Sequence, residues 1–234
     1  MRGQPHEAQG AAERAGAPSA DEAGESPTAR RSVMWIIAQT LLRILTSILF
    51  DLKVFGIRHL PRRGGVLLLA NHQSYLDPVV LSVQSPRPVG FMARSSLFSH
   101  RLFGWLIRSL YAFPVKQGAG DVGAIKETIR RLQGGGVVNI YPEGARTRDG
   151  QLGPLQSGVA LIVRRAGVPV VPVAIHGAYD AWPIHRSRMT FKPIRVMYGQ
   201  PMDLAAMEPD QIMATVEGAL RRMLAQLAGR EART

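Results

Sequence analysis

Residues 66–78 read VLLLANHQSYLDP: an apolar run from Val66 to Ala70 gives way without a break to a polar one that opens on Asn71 and His72 and closes on Asp77 and Pro78. A short continuous apolar run bounded by polar residues fits a strand buried on both faces, as in a parallel sheet. Open α/β sheets place their sites where such strands end. Across the start of a helix, an Asp that follows a His at this spacing can fold back, so that its carboxylate holds one ring nitrogen and leaves the other to accept a proton. With six histidines in 234 residues the spacing alone is weak evidence. A helix cap by Ser74 or Asp77, or a structural histidine, explains the same residues at this stage.

Working outward, further apolar runs at Leu52–Ile57, Val89–Ala93, Val137–Tyr141, Val170–Ile175 and Ile194–Tyr198 read as strands, with helical patterns between several of them. The clearest helix spans Asp121–Gln133. Asp121 suits its N-cap, Val122, Ile125, Ile129 and Leu132 form one apolar face, and Gly134 suits its C-terminal cap. Ser96–Leu110 is dense in apolar groups and reads as a core helix or a lipid-facing one, and Glu208–Leu227 reads as an amphipathic helix with Ile212, Val216, Leu220, Met223 and Leu227 at core spacing. Strands alternating with helices predict an α/β fold with a mixed, largely parallel central sheet flanked by helices.

Residues 137–150, VVNIYPEGARTRDG, repeat the arrangement of strand followed by polar cluster. A glycine-containing turn with two arginines offers amides and guanidinium forks to a phosphate, though an ordinary basic surface turn has the same composition. Two such clusters after two different strands make the bland reading of either harder to sustain.

The rest of the chain divides simply. Residues 1–31 are rich in Ala, Gly, Glu, Ser and Pro and too poor in large apolar side chains to offset the entropy of ordering, so they read as a disordered tail. Residues 32–53 read as an amphipathic membrane-anchor helix. Within the apolar stretch Val33–Phe50, the residues Gln39, Thr40, Arg43, Thr46 and Ser47 fall in one arc, with Trp35, Ile37, Leu41, Leu45 and Leu49 turned toward lipid. A central Arg is costly in a spanning helix. The competing readings are a surface helix packed on the protein's own core and, less favoured, a true span. Residues 54–234 read as one catalytic or binding domain.

Composition narrows the chemistry. Cysteine is absent, which removes disulfides, thiolate nucleophiles and Cys-based zinc sites. The net charge is +12, and because four arginines meet five carboxylates in the first 31 residues, the remainder carries +13. Such a surface suits anionic headgroups, phosphorylated substrates or nucleic acid, but no zinc-finger spacing, aromatic-rich RNA signature or helix-turn-helix accompanies it, so no nucleic-acid partner is expected.

The stretch Asn71–Asp77 resembles the His-x4-Asp motif of the glycerolipid acyltransferase family, of the 1-acylglycerol-3-phosphate acyltransferase type. Tyr141–Arg146 is similar to that family's Phe/Tyr-Pro-Glu-Gly-x-Arg motif, and Val168–Val173 to its apolar, proline-containing block. The likeness runs from about residue 50 to residue 204. One block departs: in Ala112–Gly118, Gln117 stands where Arg is common, and the neighbouring Lys116 is the cation left to take its place.

The resemblance implies an acyltransferase in which His72, held by Asp77, takes the proton of an acceptor hydroxyl as it attacks an acyl thioester. Gly144 and Arg146, with Lys116, would hold the acceptor phosphate, and Glu143 would orient the turn. Acyl-CoA or acyl carrier protein would be the donor, a lysophospholipid the acceptor, and membrane lipids the surroundings, at the cytoplasmic face. No metal or bound cofactor is implied. Rival readings are the same chemistry on glycerol-3-phosphate or an amino-acid lysolipid, a non-catalytic lipid-binding protein, and a metal hydrolase built on His72, Asp77 and Glu143, for which further ligands are wanting.

Overall fold

The computed structural model describes residues 33–99, 101, 111–115 and 122–231. In chain order the elements are α1 (Val33–Phe50), β1 (Lys53–Phe55), β2 (Val66–Ala70), α2 (Asp77–Ser82), β3 (Val89–Arg94), β4 (Ala112–Val115), α3 (Val122–Gln133), β5 (Val137–Ile140), α4 (Gly158–Ala166), β6 (Val170–His176), α5 (Ala178–Ala181), β7 (Arg195–Tyr198) and α6 (Pro209–Glu231). The tail at 1–31, Asp121 and most of 100–110 lie outside the described residues.

The strands form one seven-stranded sheet in the order β1-β7-β6-β2-β5-β3-β4. Only β6 and β7 pair antiparallel; every other neighbouring pair is parallel. The α/β fold with a mixed, largely parallel sheet is therefore as expected. All five residues of β2 are buried, which is why that strand reads as unbroken apolar sequence. Val66, Leu68 and Ala70 face a core completed by α2 and the end of α1, while Leu67 and Leu69 face one completed by α3, α4 and α6.

Several elements differ from the sequence reading. The first strand shortens to Lys53–Phe55 because Ile57–His59 closes into a 3-10 turn. β4 was not anticipated; it contains Pro114, and it sits at the sheet's outer edge, where a residue without an N–H is tolerated. Helix α4 was also not anticipated, although Val159, Ile162, Val163 and Ala166 carry the helical period and are buried. At the end of α3 the left-handed cap falls on Gly135 (φ 84°) and not on Gly134, with Gly136 N–H donating to Arg131 O at 2.9 Å and Gly135 N–H to Leu132 O at 3.0 Å. Of the helix expected over Ser96–Leu110, the described part is a 3-10 turn at Ser95–Phe98 followed by Arg101.

Helix α1 lies with its polar edge against the protein. Gln39 Nε2 donates to Ser82 O at 3.2 Å and Ser85 O at 3.0 Å, and Arg43 Nε donates to Val83 O at 3.1 Å. These carbonyls end α2 and the turn after it, where backbone acceptors lack helical partners and a cation is favoured. Ile36, Ile37, Leu41, Ile44, Leu45 and Ile48 are exposed, Ile48 by 74%. Leu49 corrects the expected lipid-facing set: it packs on the core beside buried Phe50. Thr40 and Ser47, expected in the same polar arc, remain exposed. Among the described residues no helix is long and apolar enough to cross a membrane.

Candidate active site

The connectivity makes the site. β2 leaves its carboxyl end toward α2 and β3 on one side, and β5 leaves through α4 to β6 on the other, so the sheet changes winding direction between β2 and its neighbours. Loops from adjacent carboxyl ends diverge at such a point and leave a crevice. β2 and β5 are parallel partners in register at Leu69 and Ile140. The segments that follow, starting at Asn71 and Tyr141, therefore emerge side by side.

Asp77 opens α2 and is fully buried. Its Oδ2 accepts three hydrogen bonds: from His72 Nδ1 at 2.7 Å, from Gln73 N–H at 2.6 Å and from Ser74 N–H at 2.7 Å. A carboxylate oxygen only accepts, so Nδ1 carries the ring proton and Nε2 presents a lone pair. The same oxygen thus orients the imidazole and ties down the turn at Gln73 and Ser74; these N–H groups precede α2, whose N-cap Leu76 has no side-chain cap, so the helix-cap explanation does not hold. The His72 ring lies flat on Tyr141, centroids 3.8 Å apart and planes 9° apart. Burial pushes the Tyr141 phenol well above its ordinary range, with the Asp77 charge adding to the effect.

Glu143 faces the main chain of the first cluster. Its Oε1 accepts the N–H of His72 at 2.7 Å and its Oε2 the N–H of Gly153 at 2.9 Å. Burial raises its carboxyl above the ordinary 4.5, opposed by those two backbone hydrogen bonds. Thr147 N–H returns a bond to His72 O at 2.8 Å, which fixes both sides of the His72 peptide unit to the second loop. Gly144 adopts φ 73° and donates its N–H to Tyr141 O at 3.0 Å, a turn whose left-handed residue suits glycine.

Arg146 reaches back over the first cluster. Its guanidinium stacks 4.1 Å above the Tyr75 ring and its Nε donates to Ser74 O at 3.3 Å. Tyr75 in turn packs on Trp182 at 5.3 Å. His72, Asp77, Glu143, Gly144 and Arg146 are thus gathered in one crevice; Lys116 and Gln117 lie outside the described residues.

Asn71 and Gln73 carried no role in the sequence reading, and Ser74 only that of a candidate helix cap. Asn71 donates through Nδ2 to Ile175 O at 2.9 Å and accepts from Ile175 N–H at 2.7 Å, closing the exit of β2 against β6. Gln73 Nε2 donates to Gly150 O at 3.0 Å, and Ser74 Oγ to Trp182 O at 2.7 Å. Their position within the motif was the available signal; their partners, distant in sequence, were not. A cleft of about 510 Å³ lined by Gln73, Gly150, His176, Tyr179 and Leu224 adjoins the crevice, whereas a hollow of about 660 Å³ along α4 contains none of these residues. Among the described residues no three His, Asp or Glu side chains converge as metal ligands would.

Comparison with known proteins gives concordant relatives. Residues 51–176 match the family model described as Acyltransferase. A 1-acyl-sn-glycerol-3-phosphate acyltransferase of Bacillus subtilis is 25% identical over 198 residues, covering 83% of this chain and 96% of that one. A protein of the same name from Streptococcus pneumoniae is 29% identical, over 59% of this chain and 50% of the other, so the chain spans only about half of that relative. The crystal structure of the 1-acyl-sn-glycerophosphate (LPA) acyltransferase PlsC from Thermotoga maritima superposes with a TM-score of 0.71 at 26% identity, over 82% of this chain and 79% of that one.

Proposed function

The chain belongs to the acyltransferase family and is an enzyme of that class, and we propose that it moves a fatty acyl group from an acyl thioester to the free hydroxyl of 1-acyl-sn-glycerol-3-phosphate, giving phosphatidic acid. The observation that carries the reading is the single 2.7 Å contact between His72 Nδ1 and Asp77 Oδ2. It sets the imidazole in the tautomer that a general base needs, beside a turn that offers a guanidinium.

In this reading Nε2 of His72 takes the hydroxyl proton as the acceptor oxygen attacks the thioester carbonyl. The tetrahedral intermediate collapses, the carbon–sulfur bond breaks, and the departing thiolate takes the proton back from the imidazolium. Products are the ester and a free thiol, and the protein itself is never acylated. Asp77 holds the ring through the charge change, and Glu143 and Thr147 hold its backbone. Arg146 and the Gly144 turn bind the acceptor phosphate, with Lys116 as a further cation. Coenzyme A or acyl carrier protein carries the acyl group, and no metal or bound cofactor takes part. The enzyme works at the cytoplasmic face of a membrane, held by the outward apolar face of α1.

The test is an acyl-transfer assay of purified protein with a panel of acceptors, including 1-acyl-sn-glycerol-3-phosphate, glycerol-3-phosphate and amino-acid lysolipids, each with acyl-CoA and acyl carrier protein donors. Preference for 1-acyl-sn-glycerol-3-phosphate supports the reading. Transfer to another acceptor alone, or no transfer, overturns it.

A further inference from the structure

We propose that the segment Trp182–Pro193 is a second membrane-docking element, which inserts apolar side chains and binds anionic lipid headgroups beside the mouth of the site. The proposal rests on the membrane-bound reading of the enzyme and adds to it a surface remote in sequence from α1.

The segment presents Ile184, Met189 and Phe191 to solvent, Phe191 by 62%. Between and beside them stand the exposed cations Arg186, Arg188 and Lys192, with no carboxylate from Ala181 to Met202. Alternating exposed apolar and basic side chains complement a surface that is hydrocarbon beneath and negative above.

The exposure belongs to an ordered loop. Thr190 N–H donates to Ala181 O at 2.8 Å and its Oγ1 to Asp180 O at 2.8 Å, which ties the far limb to α5. Arg186 N–H donates to Pro183 O at 3.2 Å, and Trp182 Nε1 to Arg186 O at 3.2 Å. The apolar side chains are thus held outward by a fixed backbone, a cost that contact with an apolar phase would offset.

Both ends of the segment meet elements already described. At one end Trp182 packs on Tyr75, on which Arg146 lies. At the other, Phe191 packs on Phe50, the last residue of α1, with ring centroids 6.0 Å apart. Ile194 N–H bonds Phe50 O at 2.9 Å and Lys53 N–H bonds Ile194 O at 3.1 Å, so the loop and the end of α1 are one fixed unit. The loop is therefore anchored to the core-facing end of α1, and its exposed apolar side chains interleaved with cations, with no carboxylate among them, favour an anionic bilayer over an acidic protein as the occupant.

Partition of the full chain onto vesicles tests the assignment, with pure phosphatidylcholine compared with mixtures containing phosphatidylglycerol. The pair Met189→Ser/Phe191→Ser should weaken partition onto both vesicle types by about tenfold. Arg186→Ala/Arg188→Ala should weaken it by roughly tenfold or more on the anionic vesicles while leaving the neutral ones unchanged. Both variants should keep the wild-type melting temperature and transfer to a short-chain, monodisperse acceptor at the wild-type rate. Unchanged partition, or equal loss on neutral and anionic vesicles from the arginine pair, overturns the proposal. So does a loss of transfer to the monodisperse acceptor, or a raised KM for an acyl carrier protein donor with partition intact. Absence of transfer by the wild-type chain would sink the proposed activity and leave the vesicle result to decide the docking surface.

Discussion

The backbone N–H of His72 and the Oε1 of Glu143 meet at 2.7 Å across 71 residues of sequence. Asp77 aims the imidazole ring, and Glu143 fixes the peptide unit from which it projects. A displacement near one ångström at a reacting group can cost about a hundredfold in rate. Glu143→Gln keeps an acceptor for one N–H and should lower kcat by roughly ten- to hundredfold, with little change in the KM for the acceptor. Steady-state kinetics that instead raise KM at constant kcat would move Glu143 from positioning to substrate binding.

Glu143 also predicts a pH dependence. Burial holds its carboxyl above 4.5, so protonation sets in at a higher pH than for an exposed glutamate. As pH falls through the raised value, one acceptor for the His72 N–H is lost and activity should drop; in Glu143→Gln this step should vanish from the pH–rate profile. The stability effect runs the other way. A carboxyl whose folded pKa is raised binds its proton more tightly when folded, so its contribution declines as pH climbs from the unfolded value to the folded one.

His72→Ala should cut turnover by a factor of about 10²–10⁴ with the fold intact. Asp77→Asn should cost a comparable factor, about 10²–10⁴, because the amide oxygen that keeps the two backbone N–H bonds no longer carries the charge that stabilises the imidazolium. Turnover measured beside circular dichroism separates this from unfolding, and near-normal turnover in either variant removes the pair from the mechanism.

Arg146→Ala should raise the KM for a phosphorylated acceptor by roughly ten- to hundredfold, the worth of a charge-assisted hydrogen bond. Its role as the Tyr75 stacking partner is controlled by Tyr75→Leu, which should shift KM far less. Equal shifts would make stacking, and not phosphate binding, the function of Arg146.

Asn71→Ala removes both bonds to Ile175 and strands a buried N–H and C=O. The expected loss is about 2–4 kcal/mol of stability, read from urea unfolding. A loss under about 1 kcal/mol would mean that water or a neighbour replaces the amide.

The sheet and the meeting of His72 with Asp77 were legible for the same reason: both are written in local sequence. β2 announces itself because a strand covered on both faces is apolar throughout, and Asp77 reaches His72 within one turn. β4 is hard to read because Pro114 argues against a strand until its edge position is known, and α4 because its nine residues give the helical period little length over which to show. For α1 the amphipathic period was legible except at Leu49, Thr40 and Ser47, and the carbonyls of Ser82, Val83 and Ser85 that Gln39 and Arg43 serve lie 40 or more residues away. The roles of Asn71 and Gln73 depend on partners more than 70 residues away, which a single sequence does not name.

The bridge between Asn71 and Ile175 spans 104 positions, and it carries a consequence for biogenesis. A chain leaving the ribosome amino end first exposes β2 long before β6 exists to flank it. Parallel pairing at such separation is slow because loop closure precedes any gain in contacts. Until Ile175 has cleared the exit tunnel, the most apolar strand of the protein lacks one neighbour, and during that interval a chaperone or the nearby bilayer is its natural shelter.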